Sequence, residues 1–331
     1  MTLIRATVHK MHDVPPHSFR RYAGAVLAFN ILVVLWGAFV RASGSGAGCG
    51  AHWPLCNGVV IQHSPRLATL IEFGHRASSG VALILVAGLL IWAFRRFPRQ
   101  HAARHGAALS SVFLLTEAAL GAGLVLLALV AQNASVMRAV AISLHLTNTF
   151  LLLASLTYVT WYAFLGRAER FKIKASRSLT VAILAATLLF LSVGIAGAIV
   201  ALGDTLFPAT SLAAGLVQDT LPTAHFLIKL RAVHPLLALI AAAYGIGLGA
   251  YLRAGDTRPI ISVITKVFSA LVVTQVALGV LNMVLLAPTW MQLVHLFVAD
   301  GVWISLVVLA LESLTQPGAA PELAILAPTR A

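Results

Sequence analysis

The sequence predicts an all-α polytopic membrane protein: eight transmembrane helices as two pseudo-symmetric four-helix bundles, with both termini cytoplasmic. Three observations predict it. The 331 residues are 60% hydrophobic and only 10% charged, with a mean hydropathy of +0.93, whereas soluble chains carry roughly 25% charged residues. A water-soluble enzyme and a disordered chain are both excluded by that balance. The apolar residues also gather into long runs of the ~20 residues a bilayer crossing needs. Finally, a short motif and a histidine spacing occur once in each half of the chain.

The runs lie at roughly 22–41, 67–94, 107–131, 139–165, 179–202, 226–252, 260–287 and 291–314. Pro98, Gly166, Gly255 and Pro259 punctuate short turns. Two connections are longer, at about 42–66 and 203–225. The net charge of +13 would suggest nucleic acid in a soluble protein, but no basic stripe accompanies a soluble domain. In a membrane protein basic residues mark cytoplasmic loops instead. With the N-terminus inside, only Arg41, Arg66, Arg76, Arg138, Lys229 and Arg231 of the 23 Lys and Arg fall outside. Arg5, Lys10, Arg20, Arg21, Arg95, Arg96, Arg99, Arg104, Arg330 and the basic residues from Arg167 to Arg177 and Arg253 to Lys266 fall inside. Both long loops are then external. The first 21 residues are mixed and His-rich, with no cleavage site after the first apolar run. Neither a cleaved signal peptide nor a transit peptide is expected, which favours the bacterial plasma membrane.

The third run contains Thr116 to Gly121 (T-E-A-A-L-G) and the seventh Thr274 to Gly279 (T-Q-V-A-L-G). His75 precedes Thr116 by 41 residues, and His234 precedes Thr274 by 40. His145 follows Thr116 by 29 residues and His295 follows Thr274 by 21, the shortfall lying where an outer loop can absorb it. Residues 1–166 and 167–331 are therefore read as two copies of one four-helix unit, entering the membrane with the same orientation.

Of the twelve histidines, only His75, His145, His234 and His295 lie well inside spans, on the second, fourth, sixth and eighth. Each sits one to two turns past the outer end of its helix, roughly 8–12 Å down at 1.5 Å per residue. A single histidine near a helix end can simply face the interface. Four at repeat-equivalent positions need partners in hydrocarbon, and paired neutral imidazoles are metal ligands. Two helices each offering one imidazole can grip a porphyrin from both faces. Zinc would want further protein ligands. His225 breaks the repeat spacing, and His9, His12, His17, His101 and His105 are expected to be solvated on the cytoplasmic side.

The first outer loop, Arg41 to Gly58, holds five glycines and a proline. Cys49 and Cys56, with six residues between them, lie on the oxidising face, where a disulfide can form; a structural staple and a redox role both remain open. Glu72 lies three residues before His75, on the same helix face. An intramembrane carboxylate is costly unless it works or is paired, and its repeat equivalent is Arg231. Glu72 is read as the group that handles protons or chemistry, the alternative being an ion pair with Arg76. Glu117, opposite a neutral Gln275 in the other copy, is read as a helix–helix hydrogen-bonding group. Asp300, off the face of His295, is assigned no role. Arg76, Arg138, Lys229 and Arg231, outside and near the histidines, are candidate partners for haem propionates.

At these residues the chain resembles the haem A synthase (CtaA/Cox15) family. The resemblance rests on G-S-G-x-G-C-x-x-x-W-P-L-C-N-G from Gly44 to Gly58, E-F-G-H-R from Glu72 to Arg76, and H-L-T-N at His145, with His234 and His295 matching as well. Gly50 and His52 stand where relatives often carry Pro and Asp, and the second outer loop lacks a cysteine pair. The resemblance implies an enzyme that oxidises the C8 methyl group of haem O to a formyl group by successive hydroxylations, giving haem A. It implies substrate haem O held by His75 and His145, and a haem b cofactor held by His234 and His295. It implies as partners the lipid bilayer, a haem O synthase as supplier, an electron donor and a terminal oxidase as acceptor, with self-association left open and no nucleic acid. The rival reading is a di-haem b-type cytochrome or quinol oxidoreductase without haem-modifying activity, for which Glu72 has no use.

Overall fold

A computed structural model describes residues 14–59 and 65–315. Arg5, His9, Lys10, His12 and Arg330 lie outside the described residues. The helices are α1 (His17–Ala42), α2 (Leu67–Arg96), α3 (Ala102–Leu126), α4 (Val136–Phe164), α5 (Arg177–Leu206), the short α6 (Leu212–Thr220), α7 (Phe226–Gly255), α8 (Pro259–Val284) and α9 (Thr289–Leu314). All but α6 are long and apolar enough to cross a membrane, so the eight expected spans are present and the described chain is all-helical. A 3-10 turn, Leu230–Ala232, interrupts α7.

The ends differ from the apolar runs for physical reasons. α1 starts at His17 and α2 runs on to Arg96, because a helix continues through the headgroup zone where its basic residues belong. α3 stops at Leu126 although the sequence stays apolar to Ala131. There Ala128 and Ala131 take left-handed backbone, each at φ 52°, and Arg138 donates to the Ala131 carbonyl at 2.6 Å. α8 ends in the same manner: Leu286 and Ala287 are left-handed, and Gln292 donates to the Ala287 carbonyl at 2.6 Å. In both turns backbone N–H groups take up the last helix carbonyls, Leu129 to Leu124 and Ala287 to Asn282 at 2.8 Å each, and a polar side chain of the next helix holds the turn that follows. α6 was not expected; Ser211 caps it by accepting from the Ala214 N–H at 3.1 Å.

α1, α2, α3 and α4 each pack on their neighbours around a ring, and so do α5, α7, α8 and α9. α1 and α4 meet α5 and α9 along a seam between the rings. Buried apolar side chains fill the half of each ring away from the glycine-rich loop. Phe19, Val26, Leu89, Leu114, Leu152 and Leu156 do so in the first. Ile183, Leu248, Phe268, Trp303, Leu306 and Leu309 do so in the second.

The seam is stitched at both faces. Phe150 and Trp303 stack at 4.7 Å, and the Trp303 indole donates to the Phe150 carbonyl at 2.8 Å. On the glycine-loop face Arg41 donates to the Ala201 carbonyl at 2.6 Å and to Gln292 at 2.9 Å. On the other face the fully buried Glu312 accepts from Trp161 at 2.7 Å and from Arg167 at 2.7 and 2.9 Å. Removing one partner of a buried ion pair leaves the other uncompensated. Glu312→Ala is expected to cost about 3 kcal/mol, seen as a lowered thermal midpoint in detergent. An unchanged midpoint would show that the clamp contributes nothing.

Candidate functional site

The four intramembrane histidines lie in the loop-side half, above the apolar filling. They sit 8, 9, 8 and 6 residues past the first residues of α2, α4, α7 and α9, about 9–14 Å along each axis at 1.5 Å per residue. His75 is within electrostatic reach of His145, and His295 of His234. The His234 and His295 ring centres are 6.4 Å apart with the planes at 82°. Two imidazoles on one metal ion, each at about 2 Å from metal to nitrogen, place their ring centres roughly 6 Å apart.

One ring hydrogen bond fits ligation through Nε2 and another occupies that nitrogen: Gln275 Nε2 lies 3.1 Å from His295 Nε2. His234 Nδ1 lies 3.1 Å from the Val193 carbonyl; a carbonyl there takes the Nδ1 proton and leaves the Nε2 lone pair for a metal. His75, His145 and His295 each bury an Nδ1 with no hydrogen-bond partner. A backbone glycine faces each of the four rings: Gly37 meets His75, Gly121 meets His145, Gly197 meets His234 and Gly279 meets His295. A Cβ on Gly37 of α1 would lie 2.9 Å from His75 Cε1, and one on Gly197 of α5 would lie 3.0 Å from His234 Cε1. Among the described residues no three His, Cys, Asp or Glu side chains converge on one point. Two imidazoles per ring, with nothing else from the protein, suit a metal whose remaining ligands come from a macrocycle.

The glycine-rich loop is docked on the start of α2. Cys49 and Cys56 form a disulfide with Cα atoms 4.4 Å apart, and both are buried. The Cys49 N–H donates to Glu72 Oε2 at 2.8 Å, and Arg76 donates to Glu72 Oε1 at 2.6 Å. Arg76 also donates to the His52 and Leu55 carbonyls at 2.6 and 2.8 Å. Thr69 donates to the Gly48 carbonyl at 2.8 Å, and a Cβ on Gly48 would overlap the Ala68 carbonyl. Glu72, 3% exposed, is therefore paired with Arg76 and the loop at once.

The other candidate residues tie down the same face. Arg231, the repeat equivalent of Glu72, pairs with Asp204 at 2.9 Å and Asp219 at 3.4 Å, and donates to the Phe207 carbonyl at 2.6 Å. Arg138 donates to the Ala131 and Asn133 carbonyls at 2.6 and 2.8 Å, and Lys229 to the Pro222 carbonyl at 2.8 Å. All four basic candidates thus hold outer loops. Glu117 bridges α3 and α4 as expected, accepting from Asn148 at 2.6 Å and from the Thr149 hydroxyl.

Some expectations need correction. His101 is not solvated: it is buried, caps α3 by accepting from the Ala103 N–H at 3.0 Å and stacks on Phe97 at 4.2 Å. His225, set apart from the four by its spacing, needs none: it caps α7, accepting from the Leu227 N–H at 3.3 Å. Glu312 was missed because its partners stand 145 and 151 residues away. Asp300, assigned no role, is 1% exposed, with both carboxylate oxygens lacking a hydrogen-bond partner.

The family described as "Cytochrome oxidase assembly protein" (COX15-CtaA) matches residues 20–307. The chain belongs to this family. A Thermus thermophilus protein named "Protoheme IX farnesyltransferase" is 44% identical over 295 residues, covering 89% of this chain and 48% of that protein. A "Heme A synthase" from an Exiguobacterium species is 32% identical over 148 residues, covering 45% of this chain and 46% of its own length. Another, from Alkalihalophilus pseudofirmus, is 34% identical over 148 residues, 44% of this chain and 47% of that protein. The chain spans about half the length of the curated relatives it matches. Eight apolar helices and bacterial relatives make this COX15-CtaA member a multi-pass protein of the bacterial plasma membrane.

Proposed function

We propose that the chain is a haem A synthase, oxidising the C8 methyl group of haem O to a formyl group. Two pairs of imidazoles at one depth, one pair in each ring of helices, carry the reading. Residues 1–166 form the substrate unit, with haem O between His75 and His145. Residues 167–331 form the cofactor unit, with haem b between His234 and His295, and both chain ends face the cytoplasm. When bound, haem b supplies one-electron redox chemistry.

The protein's own groups then have defined tasks. The four imidazoles fix the two macrocycles at one depth. The disulfide-closed loop covers the mouth of the first ring and keeps water from it. Glu72, anchored by Arg76 and the Cys49 N–H, is the acid–base group at that mouth. Arg76, Arg138, Lys229 and Arg231 keep guanidinium or ammonium charge at the level where propionates would emerge, while their loop bonds hold them there. The farnesyl tail of haem O makes it a lipid-soluble substrate, so it enters between helices from the bilayer. Two successive hydroxylations of the methyl group give a gem-diol, which loses water to the aldehyde. An external electron donor and an oxygen source complete the balance. A haem O synthase supplies the substrate and a terminal oxidase receives the product.

The name of the Thermus relative is not carried over. This chain spans only 48% of that protein. The test is conversion: purified protein given haem O, a reductant and oxygen is expected to yield haem A on chromatography. Haem O returned unchanged by a pigmented protein would favour the di-haem cytochrome.

A further inference from the structure

We propose that α6 is an interfacial helix: it lays its open apolar side into the acyl–headgroup boundary of the leaflet on the glycine-loop face, and Arg231 holds it there from behind. The inference stands on the membrane placement of the chain and is independent of what the histidines bind.

The sequence of α6, L-A-A-G-L-V-Q-D-T, is two-sided. At about 100° per residue, Ala213, Leu216 and Val217 share one side, and Gly215, Gln218 and Asp219 lie roughly opposite. Exposure follows that division. Gly215, Gln218 and Asp219 are half-buried, whereas Leu216 is 57% and Val217 61% exposed. Leu212 at the start of the helix and Leu221 just past its end are exposed as well.

The depth of the helix is fixed from the polar side. Five residues join it to the end of α5 and five to the start of α7, each link at most about 18 Å of extended chain. Arg231 brings it closer still. From the 3-10 turn in α7 it donates to Gln218 at 3.1 Å and to Asp219 at 3.4 Å. The same guanidinium donates to the Gly203 and Phe207 carbonyls at 3.2 and 2.6 Å and pairs with Asp204 at 2.9 Å, all at the end of α5. Lys229 fastens the segment that follows through the Pro222 carbonyl at 2.8 Å. α6 therefore lies against the loop-side ends of two spans, where hydrocarbon gives way to headgroups. A helix held there by its polar side turns the other side away from the protein. Leucine and valine at that depth are favourable in lipid and unfavourable in water.

The composition names the kind of contact. Asp219 is the one charged residue from Phe207 to Pro222, and Arg231 engages it. The segment has no cation of its own to seek anionic headgroups, so it is held by apolar area and needs no particular lipid charge.

The experiment places an environment-sensitive dye on the full chain, as Leu216→Cys labelled with a thiol-reactive NBD reagent, in nanodiscs of neutral phosphatidylcholine. Cys49 and Cys56, the two cysteines of the sequence, are joined to each other, so the new thiol alone takes the dye. Lipid carrying a doxyl group near the top of its acyl chain is expected to quench the dye about twofold or more, as a face sunk roughly 5–10 Å into the boundary requires. Aqueous iodide is expected to quench it hardly at all. Val217→Cys is expected to behave alike and carries the test if Leu216→Cys does not fold. Quenching by iodide and not by lipid would put this side in water and overturn the proposal. A dye shielded from both would overturn it too, because a protein surface, from this chain or a second copy, would then cover the helix.

Discussion

Glu72→Ala is expected to lower haem O conversion by about a hundredfold or more, the usual size of a lost acid–base group, while both pigments stay bound. Glu72 is buried at the start of the helix that carries His75, with both oxygens engaged. The same bonds give it a second task, since it joins the Cys49 N–H and Arg76 to one helix turn. Two controls separate the tasks. Glu72→Gln keeps a carbonyl oxygen for the Cys49 N–H but cannot carry a proton as a carboxylate does. Arg76→Ala removes the loop anchor and leaves the carboxylate. The acid–base role predicts that Glu72→Gln is nearly as damaged as Glu72→Ala and that Arg76→Ala is milder. Equal losses in Glu72→Ala and Arg76→Ala, with Glu72→Gln active, would reduce Glu72 to a loop anchor.

His234→Ala is expected to remove one of two pigments completely and to spare the other. His234 and His295 face one another at 6.4 Å in the second ring, while His75 and His145 belong to the first. Loss of haem b with some capacity for haem O retained is the expected result, read by extraction and chromatography. Loss of haem O with haem b retained would exchange the roles of the two units.

The spans were legible because hydrocarbon selects composition: a run of about 20 apolar residues has few other uses. The helix ends were less so, since they depend on which carbonyl finds a donor. The left-handed turns supply those donors from their own backbone, held by Arg138 and Gln292 of the following helix, and no apolar window sees them. The four histidines could be singled out through their spacing from Thr116 and Thr274. The Glu72–Arg76 pair was legible as neighbours one turn apart. The clamp on Glu312 was not, because Trp161 and Arg167 stand 151 and 145 residues away in sequence. The basic residues of the outer face were read for their charge alone. Their loop carbonyl partners could not be known before the loops had a shape.

The most direct test is the iron content and low-temperature electron paramagnetic resonance of the purified protein, with each of the four histidines replaced by alanine in turn. Two haems per chain with bis-imidazole low-spin signals are predicted. His75→Ala and His145→Ala should each abolish one signal, and His234→Ala and His295→Ala the other. Colourless protein, or signals that survive all four replacements, would contradict the account.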